Sequence, residues 1–239
     1  LLKDSLSSPV IYTHIYAGIS SIMNSKYYYK SDAKFLKLAI SVPYKAMLDE
    51  ARALKHRFTE HRNGDSLHKG WKGLALYGLG ENLHESWQDY GYANAIEAAK
   101  DFKWTAAATE CPVTMNFLHN NFPCKRFGRV RLMLIEAGGW IGFHSDTRHR
   151  ILENINISLS NPAGCIWKWS DGEELFMEPG GAYAMNISYQ HSIVNNSNED
   201  RFHLIVARHD STDEWRNLMD AAARESDISG SYFLHEIAV

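Results

Sequence analysis

Apolar residues recur at two different periods along this chain, and the change falls near residue 128. Tyr44, Met47, Leu48, Ala51, Leu54 and Phe58 return at helical spacing, which predicts an amphipathic helix after Pro43, packed against the rest of the fold. Residues 34–42 ahead of the proline read as a strand, and so does the run Trp71 to Tyr77. Ala93 to Phe102 and Val113 to Asn120 read as helices that would cover one sheet face. From Arg129 onward, short β-prone runs alternate with Gly, Pro, Asn and Asp turns, the pattern of a barrel or sandwich rather than of alternating βα units. Asp213 to Glu225 regains helical character with Trp215, Leu218, Met219 and Ala222 on one side, a stripe that reads as core packing. Tyr232 to Ile237 is a last short segment that either returns along the sheet or caps its end.

The expected architecture is one mainly β domain over 1–239 with flanking helices. Residues 1–127 form a helical and strand support, 128–210 the barrel core, and 211–239 a C-terminal helix and tail. No repeat or low-complexity linker divides it, and 239 residues suffice for one large core. A net charge of −3 and no long basic run argue against a nucleic-acid partner. No run approaches the roughly 18 uninterrupted apolar residues of a membrane helix, and Lys3 and Asp4 break the first candidate, so no membrane association is expected. Leu1 in place of Met leaves the natural start open. Cys111, Cys124 and Cys165 form no C-x-x-C pair and read as buried thiols in a reducing compartment, the cytoplasm. Three sequons, at Asn156, Asn186 and Asn195, read as chance matches, two of them within expected strands.

The candidate chemistry lies in Gly142-Phe143-His144-Ser145-Asp146 and in a distal His191. Residues i and i+2 of a strand point to the same side, so His144 and Asp146 reach one metal from a single strand, and the stretch 147–190 is long enough to carry the chain round a barrel and back to His191. Two imidazoles and a carboxylate occupy one face of an iron ion and leave the other open for a co-substrate and oxygen. Taken alone, an H-x-D pattern in a chain with 12 histidines has many innocent explanations. Arg201, His203 and Ile205 share one face of the next strand, 202–207. If that face is the interior, a guanidinium buried there requires an acidic partner, and a dicarboxylate co-substrate supplies one.

At these residues the chain resembles the aspartyl/asparaginyl β-hydroxylase family of iron(II)- and 2-oxoglutarate-dependent dioxygenases, with a likeness to bacterial proline hydroxylases. The matching pieces keep their order: Arg129 through His144, the Asn161-Pro-Ala-Gly-Cys165 turn, the Trp169-Ser-Asp-Gly turn, Gly180 through His191, and the strand from Arg201. The resemblance implies a double-stranded β-helix, a jelly-roll or cupin-like core. In it His144, Asp146 and His191 hold Fe(II) as metal and catalytic residues, and Arg201 binds the distal carboxylate of 2-oxoglutarate. The implied reaction hydroxylates an unactivated C–H bond of an amino acid or of a peptide or protein side chain, consuming O2 and releasing succinate and CO2. Asp146 completes a triad that some relatives lack, which favours hydroxylation over halogenation. Where relatives often carry Arg-x-His, this chain has Asn154-Ile-Asn156: Asn156 is a hydrogen-bond donor to the inner carboxylate of 2-oxoglutarate, but neither asparagine brings charge. His203 either orients Arg201, lines the pocket or packs. Trp140, Arg148 and Asn154 are the substrate-contact candidates, against a solvated loop for Arg148. Trp140, Phe143, Trp167, Trp169, Tyr183 and Tyr189 are candidates for excluding water. A cupin-like barrel binding a metal or small ligand without oxygenase activity is the alternative; H-x-D and an inward Arg201 speak against it. The oligomeric state is not read from the sequence.

Overall fold

The computed structural model of the chain describes residues 26–61 and 67–235; Lys3, Asp4 and Ile237 lie outside them. The elements are β1 (Lys26–Lys30), β2 (Phe35–Leu38), α1 (Tyr44–Ala53), β3 (Thr59–Glu60), β4 (His68–Gly78), α2 (Ala95–Lys100), β5 (Lys103–Trp104), α3 (Ala106–Thr109) and α4 (Pro112–Asn116). They continue with β6 (Phe127–His144), β7 (Asn154–Ser158), β8 (Cys165–Trp169), β9 (Glu174–Leu175), β10 (Ala182–Met185), β11 (His191–Asn195), β12 (Arg201–Arg208), α5 (Asp213–Glu225) and β13 (Ser231–His235). An eleven-stranded antiparallel sheet runs β2-β10-β7-β12-β6-β11-β8-β9, with β4 also paired to β6.

One strand makes this ribbon fold on itself. The first half of β6, Val130 to Ile135, pairs with β12, whereas Trp140, Ile141 and His144 pair with β11. The corner between them holds Gly138, at φ +69°, and Gly139, whose missing Cβ would lie 2.8 Å from the carbonyl oxygens of both Glu136 and Lys69. Only glycine takes that backbone and that approach without strain. Asn195 fixes the corner from inside: its Nδ2 donates to the carbonyls of Ile135 (3.2 Å), Glu136 (3.1 Å) and Glu199 (2.8 Å). The result is a double-stranded β-helix, with β2-β10-β7-β12 and the first half of β6 facing the second half of β6, β11, β8 and β9.

Strand alternation then sorts the side chains. Leu132, Leu134, Leu204, Val206, Ile155 and Ile157 leave the interior and join a buried cluster with Met47 and Ala51 of α1 and Trp215 and Met219 of α5. Burial of each such aliphatic side chain contributes about 1.5–3 kcal/mol. A second cluster between the sheet halves contains Ile135, Ile141, Trp167, Trp169, Tyr183 and Ile193.

Helix α5 keeps its predicted bounds, because Thr212 accepts from the Trp215 amide at 3.0 Å and Asp213 and Glu214 occupy its first turn. The helix expected over 113–120 ends at Asn116 and continues as a π-helical turn, Phe117–Asn121. The last strand pairs with β1 instead of returning along the main sheet. All three cysteines are free and buried, and burial raises their thiol pKa values. Asn156, Asn186 and Asn195 are buried, which closes all three sequons to glycosylation. Among the described residues no helix is long and apolar enough to cross a membrane.

Candidate metal centre and cavity

His144 closes β6 and His191 opens β11, and the two are direct cross-strand partners. Their ring centroids lie 4.4 Å apart. Asp146 sits in the bend after β6, not in the strand itself as the sequence suggests, and its amide donates to the Ile187 carbonyl at 3.0 Å. The turn still returns its carboxylate to the pair, 3.7 Å from His144 Nε2 and 3.9 Å from His191 Nε2. One ligand atom from each of the three residues falls within 4.8 Å of the others.

Neighbouring carbonyls set the tautomers. His144 Nδ1 lies 2.9 Å from Gly142 O and His191 Nδ1 2.8 Å from Tyr189 O, so each Nδ1 carries the proton and each Nε2 lone pair faces the shared centre. Trp167 stacks on the His191 imidazole at 4.5 Å and 11°. Burial, assisted by the neighbouring His144 and opposed by the Tyr189 carbonyl, lowers the His191 pKa from the usual 6.5, which favours the neutral ring that a metal would require. A donor set of two nitrogens and one carboxylate on a half-open face fits an octahedral iron ion with positions to spare.

The centre borders a cavity of about 380 Å³ between the two sheet halves. Its walls carry Asn154 and Asn156 of β7, His203 and Ile205 of β12, and Trp167 of β8. Arg201 lies beyond this lining. It is fully buried, donating from Nε to Asn161 Oδ1 at 3.0 Å, from Nη1 to His203 Nδ1 at 3.2 Å, and from Nη2 to the Met177 sulfur at 3.1 Å. Among the described residues no carboxylate pairs with it, and burial lowers its pKa.

Two substrate candidates fall elsewhere. Trp140 is on the opposite face of β6 from Ile141, which points into the cavity, so alternation carries the indole away. Arg148 is exposed in the loop after Asp146 and borders a separate surface hollow. Of the six aromatics near the ligands only Trp167 reaches the cavity wall; Trp169 instead stacks on Phe35 at 5.8 Å. Arg129, Arg131 and Met133 of β6 also line the cavity; they are absent from the candidates named above, although their alternation with Val130 and Leu132 carries the signal. Trp71 and His61 also line it, from the N-terminal half.

A double-stranded β-helix with two histidines and an aspartate at the mouth of its cavity defines a non-haem metal-oxygenase architecture. Residues 40–209 match the sequence profile of the aspartyl/asparaginyl β-hydroxylase family, and the chain belongs to that family. It is accordingly an iron(II)- and 2-oxoglutarate-dependent hydroxylase that uses O2. No curated protein matches it in sequence. Among solved structures, a Pseudomonas putida prolyl-4-hydroxylase shares 12% identity over 76% of this chain and 95% of its own, with a TM-score of 0.42. A Trichoplax adhaerens prolyl hydroxylase, solved with a hypoxia-inducible-factor degradation-domain peptide, shares 13% over 78% and 87%, with a TM-score of 0.44. The assignment rests on the family match, not on these distant likenesses.

Proposed function

We propose that His144, Asp146 and His191 hold the Fe(II) of this hydroxylase, and that the cavity beside them takes 2-oxoglutarate and a small substrate. The observation that carries this reading is the convergence of the three side chains within 4.8 Å, both imidazoles already turned with Nε2 outward. Bound iron supplies the oxidising chemistry: O2 and 2-oxoglutarate are consumed, succinate and CO2 are released, and a C–H bond becomes C–OH.

The chain's own residues bind, orient and shield. Arg201 and His203 together anchor the distal carboxylate of 2-oxoglutarate, with His203 making the contact and Arg201 polarising it. Asn156 donates to its inner carboxylate. Trp167 holds the His191 ring in plane and keeps water from that side. A cavity of this volume, walled partly by His61 and Trp71, suits a free amino acid or similar metabolite better than a folded protein segment. The three buried free thiols fit a reducing compartment such as the cytoplasm. Membership of the hydroxylase family decides against a cupin-like binding protein without oxygenase activity.

The test is succinate release from 2-oxoglutarate with Fe(II) and air, in the wild type and in His191→Ala. Slow uncoupled turnover in the first and none in the second is expected. Equal turnover in both would overturn the assignment of His191.

A further inference from the structure

Arg131 stands on the inner face of β6, and among the described residues none makes a hydrogen bond or ion pair with its guanidinium. Its Nε is sealed from solvent without a hydrogen-bond partner among the described residues. Arg129 follows the same face two residues away and also borders the cavity. Burial and the neighbouring Arg129 push the Arg131 guanidinium down to about 10, with Asp146 opposing them. Arg129 has its guanidinium 6.0 Å over the Phe102 ring, whereas Arg131 has no carboxylate partner among the described residues; a buried guanidinium left so is costly and is expected where a ligand completes it.

Strand register says where that ligand sits. Arg131 pairs with Ile205 of β12, which pairs on its other side with Asn156 of β7. Arg131 and Asn156 therefore flank Ile205 at one level of the cavity. His203 lies one inward position further along β12 and Arg201 two, toward the corner of β6. His144, Asp146 and Arg131 line the same cavity, whereas Arg201 lies beyond its lining. The cavity thus has two cationic ends: a deep one, Arg201 behind His203, and one on the metal side, Arg131 with Arg129. The asparagines of β7 add hydrogen bonds at the metal side but no charge, so the cation there comes from β6.

We propose that Arg131, with Arg129 behind it, binds a carboxylate of the substrate, so that the molecule hydroxylated is a small carboxylic acid held with its acid group against β6 and its reacting carbon toward His144 and Asp146. This rests on reading the cavity as the hydroxylase site. The planar fork of an arginine takes a carboxylate through two parallel hydrogen bonds, and a neutral amide or hydrocarbon would leave the guanidinium unpaired. The limited cavity, shared with 2-oxoglutarate, restricts the acid to a small one.

The test uses anaerobic protein loaded with Fe(II) and 2-oxoglutarate. It is titrated calorimetrically with the free L-amino acids and with small mono- and dicarboxylic acids, each beside its carboxamide. At least one acid is expected to bind, with its carboxamide weaker by about ten-fold or more. Arg131→Gln should erase that preference while the 2-oxoglutarate affinity, read from the visible band of its iron chelate, stays within about two-fold. Arg131→Lys, which keeps the charge but not the fork, should retain part of the preference. The melting temperature of ligand-free Arg131→Gln should rise by a few degrees, since an unpaired charge is removed; a merely structural arginine would give a fall. Acids and carboxamides bound alike, no acid bound, or a variant that loses 2-oxoglutarate affinity instead would overturn this proposal alone. Absence of the chelate band in the wild type would overturn the hydroxylase site and this proposal with it.

Discussion

Arg201 Nη1 donates to His203 Nδ1 at 3.2 Å, and of the two only His203 borders the cavity. Because Nδ1 accepts, the ring proton sits on Nε2. Burial, with the charges of Arg201 and then Arg131, holds the His203 pKa well below the usual 6.5, so the ring is a neutral donor of fixed tautomer. The strand alternation expected from sequence is present. Its consequence differs: only His203 borders the cavity, so the proposed grip of Arg201 on a ligand runs through the histidine.

Coupling between these residues follows. Arg201→Ala and His203→Ala should each raise the 2-oxoglutarate concentration needed for half-maximal succinate release by about ten-fold or more, and the double variant little further, because both act through one contact. Additive losses in that double-mutant cycle would show two independent contacts. Arg201→Ala should also lower stability by about 3 kcal/mol, measured by urea unfolding, since Asn161 and His203 lose their buried donor.

The pH dependence has a definite sign. The unfolded chain protonates His203 near pH 6.5 and the folded chain does not, so the unfolded state binds more protons below that value and stability falls as pH drops. His191 and His209 are also depressed and act in the same direction. In metal-free protein each such group contributes a slope of up to about 1.4 kcal/mol per pH unit. His203→Asn should flatten the fall in urea midpoint between about pH 7 and pH 5. An unchanged slope would mean that the ring is not held neutral.

Trp167 separates stacking from hydrogen bonding. Its ring lies on His191, while its Nε1 is buried without a partner among the described residues. Trp167→Phe keeps an aromatic face and removes the orphan N–H, so its stability should stay within about 1 kcal/mol of wild type. Trp167→Leu frees the imidazole and should weaken Fe(II) binding by about ten-fold, measured by competition with a chelator. Equal metal affinity in both variants would contradict a role in orienting the ligand.

Asn195 offers a test of how the sheet closes. Its amide donates to three carbonyls around the corner of β6, and Asn195→Asp replaces those donors with acceptors. Asn195→Ala should cost about 2–4 kcal/mol and Asn195→Asp more, by urea unfolding. Equal stability of the aspartate variant would show that the corner is held by Gly138 and Gly139 alone.

Much of this arrangement was legible in the residues because alternation and spacing are local. The inward parity of Arg201 and His203 and the bounds of α5 follow from short-range periodicity, whereas Asp146 joins the histidines from a bend and His191 from a distant strand. Proximity in sequence was a poorer guide than parity: Trp140 lies close to His144 yet faces away, whereas the distant Arg131 faces in. The same alternation rule, applied to Arg129-Val-Arg131, identifies the β6 cations. Pairings across the whole chain, such as Lys26 with His235 at the ends of β1 and β13, carry no local signature and appear only in the fold. Nor does an 18-residue strand announce which half of a sheet each of its ends will join; that depends on the glycine corner and on Asn195.

The proposed iron site is built by His144, Asp146 and His191 together. Anaerobic titration of the protein with Fe(II) and 2-oxoglutarate, followed in the visible, tests it most directly. A weak charge-transfer band is expected, saturating at about one iron per chain and absent in His144→Ala and His191→Ala. No band with folded wild-type protein, or an undiminished band in either variant, would contradict it.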